Sequence, residues 1–174
     1  MKKLSMVAVI AMFGSPALAI DPCLVGNWEP DYLTYGEQYM DVMNAQSVQI
    51  TGNMTMTISG ADIGTYLVDN MNLDVVIADT PPMSVLLNGA GEFSITTEDE
   101  AFFVGMGPFA YTAKATIDTG IGDPIVMEIP VTDEMAPFGG AAGLYTCSAA
   151  TLEFEPLRGD DGIVGNMITK WFRR

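Results

Sequence analysis

The chain has two cysteines, and they stand near its opposite ends. One lies in Cys23-Leu24-Val25-Gly26-Asn27-Trp28, the other in Tyr145-Thr146-Cys147. Both stretches are strand-like, and so is the closing Trp171-Phe172-Arg173-Arg174. A bond between Cys23 and Cys147 would tie a first strand to a last one, as a closed β-barrel in an oxidising compartment can do. Two cysteines allow one intramolecular pairing; the alternative is two free thiols.

The start of the chain bears on the compartment. Met1-Lys2-Lys3 is a basic head, Met6 to Gly14 is a short apolar run, and Ser15-Pro16-Ala17-Leu18-Ala19 ends in an A-x-A cleavage pattern. The run is too short to span a bilayer. Residues 1–19 therefore read as a secretory signal peptide, with a mature start at Ile20 and a periplasmic or extracellular destination. Cys23 follows Asp21-Pro22, not the small-residue run that lipoprotein processing needs. The remaining 155 residues suit one domain, 20–174, with one sizeable core.

Charge narrows the partners. Without Lys2 and Lys3, five basic residues face 22 acidic ones, a formal charge of −17. No Lys or Arg occurs from Ala19 through Ala113. Such a surface repels phosphate backbones and anionic headgroups, which disfavours nucleic acid and membranes and leaves cations or a basic protein partner. Solubility alone also accounts for it.

Periodicity predicts one helix and many strands. After Trp28-Glu29-Pro30, Asp31 or Thr34 can cap a helix, and Thr34 with Glu37 has capping-box spacing. Tyr35, Tyr39, Met40 and Met43 fall on one face, although Gly36 weakens the pattern. Beyond it, Val48, Ile50, Met54, Met56 and Ile58 alternate with polar residues, and Gly52 marks a bulge or bend. Further strands are expected at 65–69, 73–78, 83–88, 91–97, 101–105, 109–117, 124–131, 142–148, 150–156 and 165–173. The expected breaks are Asp69-Asn70, Thr80-Pro81-Pro82, Asn88-Gly89-Ala90-Gly91, Glu98-Asp99-Glu100, Gly120 to Pro124 and Phe138-Gly139-Gly140. The fold class is all-β: a closed, antiparallel, up-and-down barrel of about eight to ten strands with one short N-terminal helix. A sandwich is the alternative, but it leaves edges to be guarded.

Gly26-Asn27-Trp28 on a first strand, with a terminal Arg on the last, resembles the signature of lipocalin-like (calycin) barrels. The wider spacing, Cys-x-x-Gly-x-Trp, a helix, strands, Tyr-x-Cys-Ser and a final aromatic with Arg, looks like small exported bacterial proteins of that type. The resemblance implies that Trp28 plugs one end of the barrel and that Arg173 or Arg174 packs across its ring, with Gly26 allowing close strand approach. A guanidinium over an indole face contributes roughly 0.5–2 kcal/mol. It departs from the family in two ways: no second motif occurs in the middle strands, and the helix comes early.

Few residues suggest chemistry. The chain has no histidine, which removes Ser-His and Cys-His nucleophile systems and His-ligated zinc. Lys114 is the remaining base for a Ser nucleophile, and it sits in an alternating strand where it reads as solvent-facing. Met40 with Met43 and Met54 with Met56 match thioether pairs for Cu(I), but both pairs lie on apolar faces and read as core. Asp160-Asp161-Gly162 could offer oxygens to Ca²⁺ but lacks a recognised ligand spacing. Arg158-Gly159-Asp160 matches an adhesion tripeptide by chance. Neither a cofactor nor a metal is expected.

The functional expectation is an exported, non-enzymatic binding protein. Its barrel would hold a small apolar ligand against Met54, Met56, Phe102, Phe103 and Tyr111. The alternative is a protein-interaction barrel, such as a periplasmic hydrolase inhibitor. In that role its loops would do the work, because only Ile20-Asp21-Pro22 precedes Cys23.

Overall fold

A computed structural model describes residues 20–132, 140–157 and 167–174. The expected signal peptide, the turn at Phe138-Gly139, Arg158-Gly159-Asp160, Asp160-Asp161-Gly162 and the first two positions of the 165–173 strand fall outside the described residues. In chain order the elements are β1 (Gly26–Pro30), α1 (Tyr32–Met43), β2 (Ser47–Ile58), β3 (Ile63–Val76), β4 (Met83–Glu98), β5 (Ala101–Ile117), β6 (Ile125–Ile129), β7 (Ala141–Cys147), β8 (Thr151–Pro156) and β9 (Lys170–Arg173).

Eight of these strands close into an antiparallel barrel, β1-β2-β3-β4-β5-β7-β8-β9 and back to β1. Within the ring, closure removes the free edges that a sandwich would have to protect. β6 lies outside the ring. It pairs with the late half of β5, Ala113–Ile117, while β7 pairs with the early half, Ala101–Val104. Long β2 to β5 thus extend beyond the ring, and α1 packs against β2 on their inner side.

Asp31 caps α1. Its Oδ1 accepts from the backbone N–H of Leu33 and Thr34, and its Oδ2 from the Thr34 hydroxyl. Asn44 ends the helix in the left-handed region, at φ 49°. Of the expected helical face, Tyr35 is buried, and Tyr39 and Met43 pack against the core. Gly36 is buried with them, over the carbonyl of Val48.

β2 alternates as its sequence predicts, with Met54, Met56 and Ile58 inward. Two expected breaks are not turns. Asp69-Asn70 lies inside β3 and Asn88-Gly89-Ala90-Gly91 inside β4, so four predicted strands are two long ones. The cause is a bulge. Thr51 pairs with Asn72 and Asn53 with Asp69, while Val68 pairs with Gly89 and Met71 with Leu87. β3 carries one extra residue against both neighbours, and the inward set changes from Tyr66 and Val68 to Met71, Leu73 and Val75. A parity change in the middle of a strand reads as two strands with a turn between them.

Asn70 adopts φ 50° there, and its N–H donates to Asn88 Oδ1 at 2.8 Å. Gly52 faces the bulge at φ 94°, where a Cβ would collide with the Asn70 carbonyl. β5 likewise joins the strands expected at 101–105 and 109–117. Its extra residue falls between Met106 and Phe109, around Gly107-Pro108.

Candidate functional site

At the base, the chain's first and last strands meet. Cys23 and Cys147 are joined by a disulfide, with Cα atoms 6.0 Å apart; it ties the turn before β1 to the end of β7, not to the last strand as expected, which is β9. Trp28 is fully buried, and its Nε1 donates to the Leu24 carbonyl at 2.9 Å. The Arg173 guanidinium lies over its ring, 4.2 Å from the centroid. That guanidinium donates to three carbonyls: Ala149 through Nε, Val25 through Nη1 and Cys23 through Nη2. A Cβ on Gly26 would collide with Nη1, so the absence of a side chain there lets the guanidinium reach its acceptors. Arg174 does not take part in this packing. It is exposed and pairs with Glu29 at 2.9 Å.

Above the base the barrel interior is occupied by side chains. Met54, Met56 and Phe102 are buried among Phe93, Ile95 and Trp171. Phe103, expected to line a cavity with them, instead points outward and is 52 % exposed. Successive strand residues face opposite sides, so Phe102 and Phe103 cannot both enter the core. That adjacency was readable in the sequence.

Toward the α1 end, aromatic rings replace aliphatics. Tyr111 stacks with Tyr66 at 5.7 Å between centroids, and Tyr66 with Phe93 at 6.3 Å. Tyr35 and Tyr39 from α1 meet edge-on, with their hydroxyls 3.3 Å apart. Burial pushes the Tyr35 and Tyr111 phenols well above the ordinary range, reinforced by Tyr39 and Tyr66 respectively. Among the described residues, the buried Gln38 Oε1 and Tyr111 hydroxyl have no partner at full hydrogen-bonding geometry, although the Tyr66 hydroxyl acts on that of Tyr111.

The outer wall carries a further feature that the sequence reading did not single out. Phe103 and Leu144, each about half-exposed, line one open groove with Ala101 and the β4–β5 hairpin tip Glu98-Asp99-Glu100. Tyr145 fixes that tip. Its hydroxyl donates to Asp21 Oδ2 at 2.9 Å and lies 3.2 Å from the Asp99 carbonyl, and its N–H donates to the Glu100 carbonyl. Burial, followed by the hydrogen bond to Asp21, pushes the Tyr145 phenol up to about 12.

Among the described residues, no group of three or more Cys, Asp or Glu side chains is arranged to hold a metal ion. Met54 and Met56 are core residues, and Met43 packs against that core. Lys114 lies on the outer side of β5, between the buried Ala113 and Ala115. Among the described residues no helix is long and apolar enough to cross a membrane. No protein-family model, curated protein or solved structure matches this chain.

Proposed function

We propose that this chain is an exported, non-enzymatic binding protein of lipocalin-like design that engages its partner through the outer wall of the barrel. The observation that carries the reading is the filled interior. Met54, Met56, Phe93, Ile95 and Phe102, with Trp28 and Trp171, are each no more than 2 % exposed. Eight-stranded barrels either fill with side chains or keep room for one small ligand, and these residues favour the first. The disulfide and the leader-like start support export. An intact-mass measurement on secreted material should give a chain beginning at Ile20 with no free thiol.

Titration with cis-parinaric acid tests the mode of binding. Trp28 and Trp171 fluorescence should stay unchanged through the titration. Saturable one-to-one quenching that a Met56→Trp substitution abolishes would return the ligand to the barrel axis.

A further inference from the structure

The groove beside the β4–β5 hairpin is built for a particular kind of partner, an inference that rests on the outer-wall reading above. We infer that the face carrying Phe103, Leu144 and the Glu98-Asp99-Glu100 tip docks a protein segment in which Lys or Arg flanks an aromatic or aliphatic anchor.

One aromatic ring and one branched side chain stand in water on this face. Phe103 and Leu144 are 52 % and 50 % exposed. Phe103 sits opposite Ala142 across the β5–β7 ladder, and Leu144 sits opposite Ala101. The two large side chains are therefore diagonal neighbours separated by small ones, which leaves a shallow seat for an anchor. Interfaces concentrate their affinity in such central apolar contacts, surrounded by a polar rim.

The charged half is the rim. Glu98, Asp99 and Glu100 line the groove, and Glu155 lies opposite Leu144 on β8. None of the four makes an ion pair with another described residue. The cations that do form such pairs, Lys170 and Arg174, are engaged by Asp31, Glu153 and Glu29. Among the described residues no Lys or Arg pairs with this hairpin. A cationic segment complements it, and complementary charge both speeds encounter and rejects acidic competitors.

The face is also rigid. The Tyr145 N–H binds the Glu100 carbonyl of the tip to β7, beside Leu144. Carboxylates and apolar seat are thus held in one arrangement before a partner arrives, and less ordering entropy is lost on binding.

The probe is a fluorescein-labelled peptide with alternating Arg and Phe or Leu residues, long enough to cross the groove. A control of equal charge replaces every Phe and Leu with Ser. Both are titrated into the full exported chain, with amide chemical shifts recorded in parallel. The probe should bind at least about tenfold more tightly than the control, with shifts gathered on residues 98–103 and 142–145. Phe103→Ser or Leu144→Ser should weaken it about tenfold or more at an unchanged melting temperature. Glu98→Gln with Glu100→Gln should weaken it and flatten its salt dependence.

Equal binding of probe and control, unaffected by Phe103→Ser, would overturn the proposal as diffuse charge attraction. Probe binding with shifts on another face would overturn this groove while leaving outer-wall binding in place. Sedimentation showing a dimer that Phe103→Ser dissociates would assign the patch to self-association instead.

Discussion

Trp28 and Arg173 show how much one pair of side chains does for this barrel. The indole fills the base, and the guanidinium both caps it and collects three carbonyls from the Cys23–Val25 segment and the β7–β8 turn. Removing the ring leaves a large cavity beneath a cation with nothing to lie on. Trp28→Ala should therefore cost roughly 3–5 kcal/mol in urea unfolding. The tyrosines make a second residue-scale case. Five of the six, Tyr32, Tyr35, Tyr66, Tyr111 and Tyr145, are raised above the ordinary phenol range, each chiefly by burial. A raised folded-state value stabilises the fold fully below the unfolded value near 10, and that stability is lost as pH rises through the folded values. A spectrophotometric titration of native protein should show delayed phenolate formation, and the melting temperature should fall above about pH 10. A melting temperature unchanged across that range would contradict the burial of this cluster.

Among the elements, β2 and β3 mark where the sequence is clear and where it misleads. β2 reads directly because its alternation is never broken: Gly52 occupies the bulge position without changing the phase of Met54 and Met56. β3 and β5 each carry an extra residue, so their apolar positions change parity in mid-strand. Asn, Gly and Pro at those points are turn residues by composition, and the local sequence does not say whether a neighbouring strand will keep pairing past them. The same limit applied to α1, where Gly36 weakened the helical pattern although its contact with the Val48 carbonyl explains it. The outer groove was less legible still. Glu98-Asp99-Glu100 stood out as a tip, but Leu144 reaches it only through the β5–β7 ladder, a pairing between distant segments. The bulge predicts its own test. Gly52→Ala forces a side chain into the Asn70 carbonyl at a positive φ. It should lower stability by more than about 1 kcal/mol, read as a reduced urea midpoint. A neutral result would mean that β2 and β3 separate there at little cost.

For the molecule as a whole, closure is the dominant fact. Eight strands form one ring, and the disulfide spans 124 residues of it. In the chain-entropy picture a loop of that size is worth at most about 4–5 kcal/mol. Reduction under native conditions should lower the melting temperature markedly, and a reduced protein that melts where the oxidised one does would show that the strand ladders alone hold the ring. The clasp at the base also differs in kind from the ion pairs elsewhere. Lys170 and Arg174 hold carboxylates, which acid can neutralise, whereas the acceptors of Arg173 are peptide carbonyls that have no proton to gain. Acidification can therefore strip the outer ion pairs and quiet the surface's self-repulsion without touching the fastening beneath Trp28. Alkali acts instead on the buried phenols. Mild acid is thus the condition this architecture is equipped to survive.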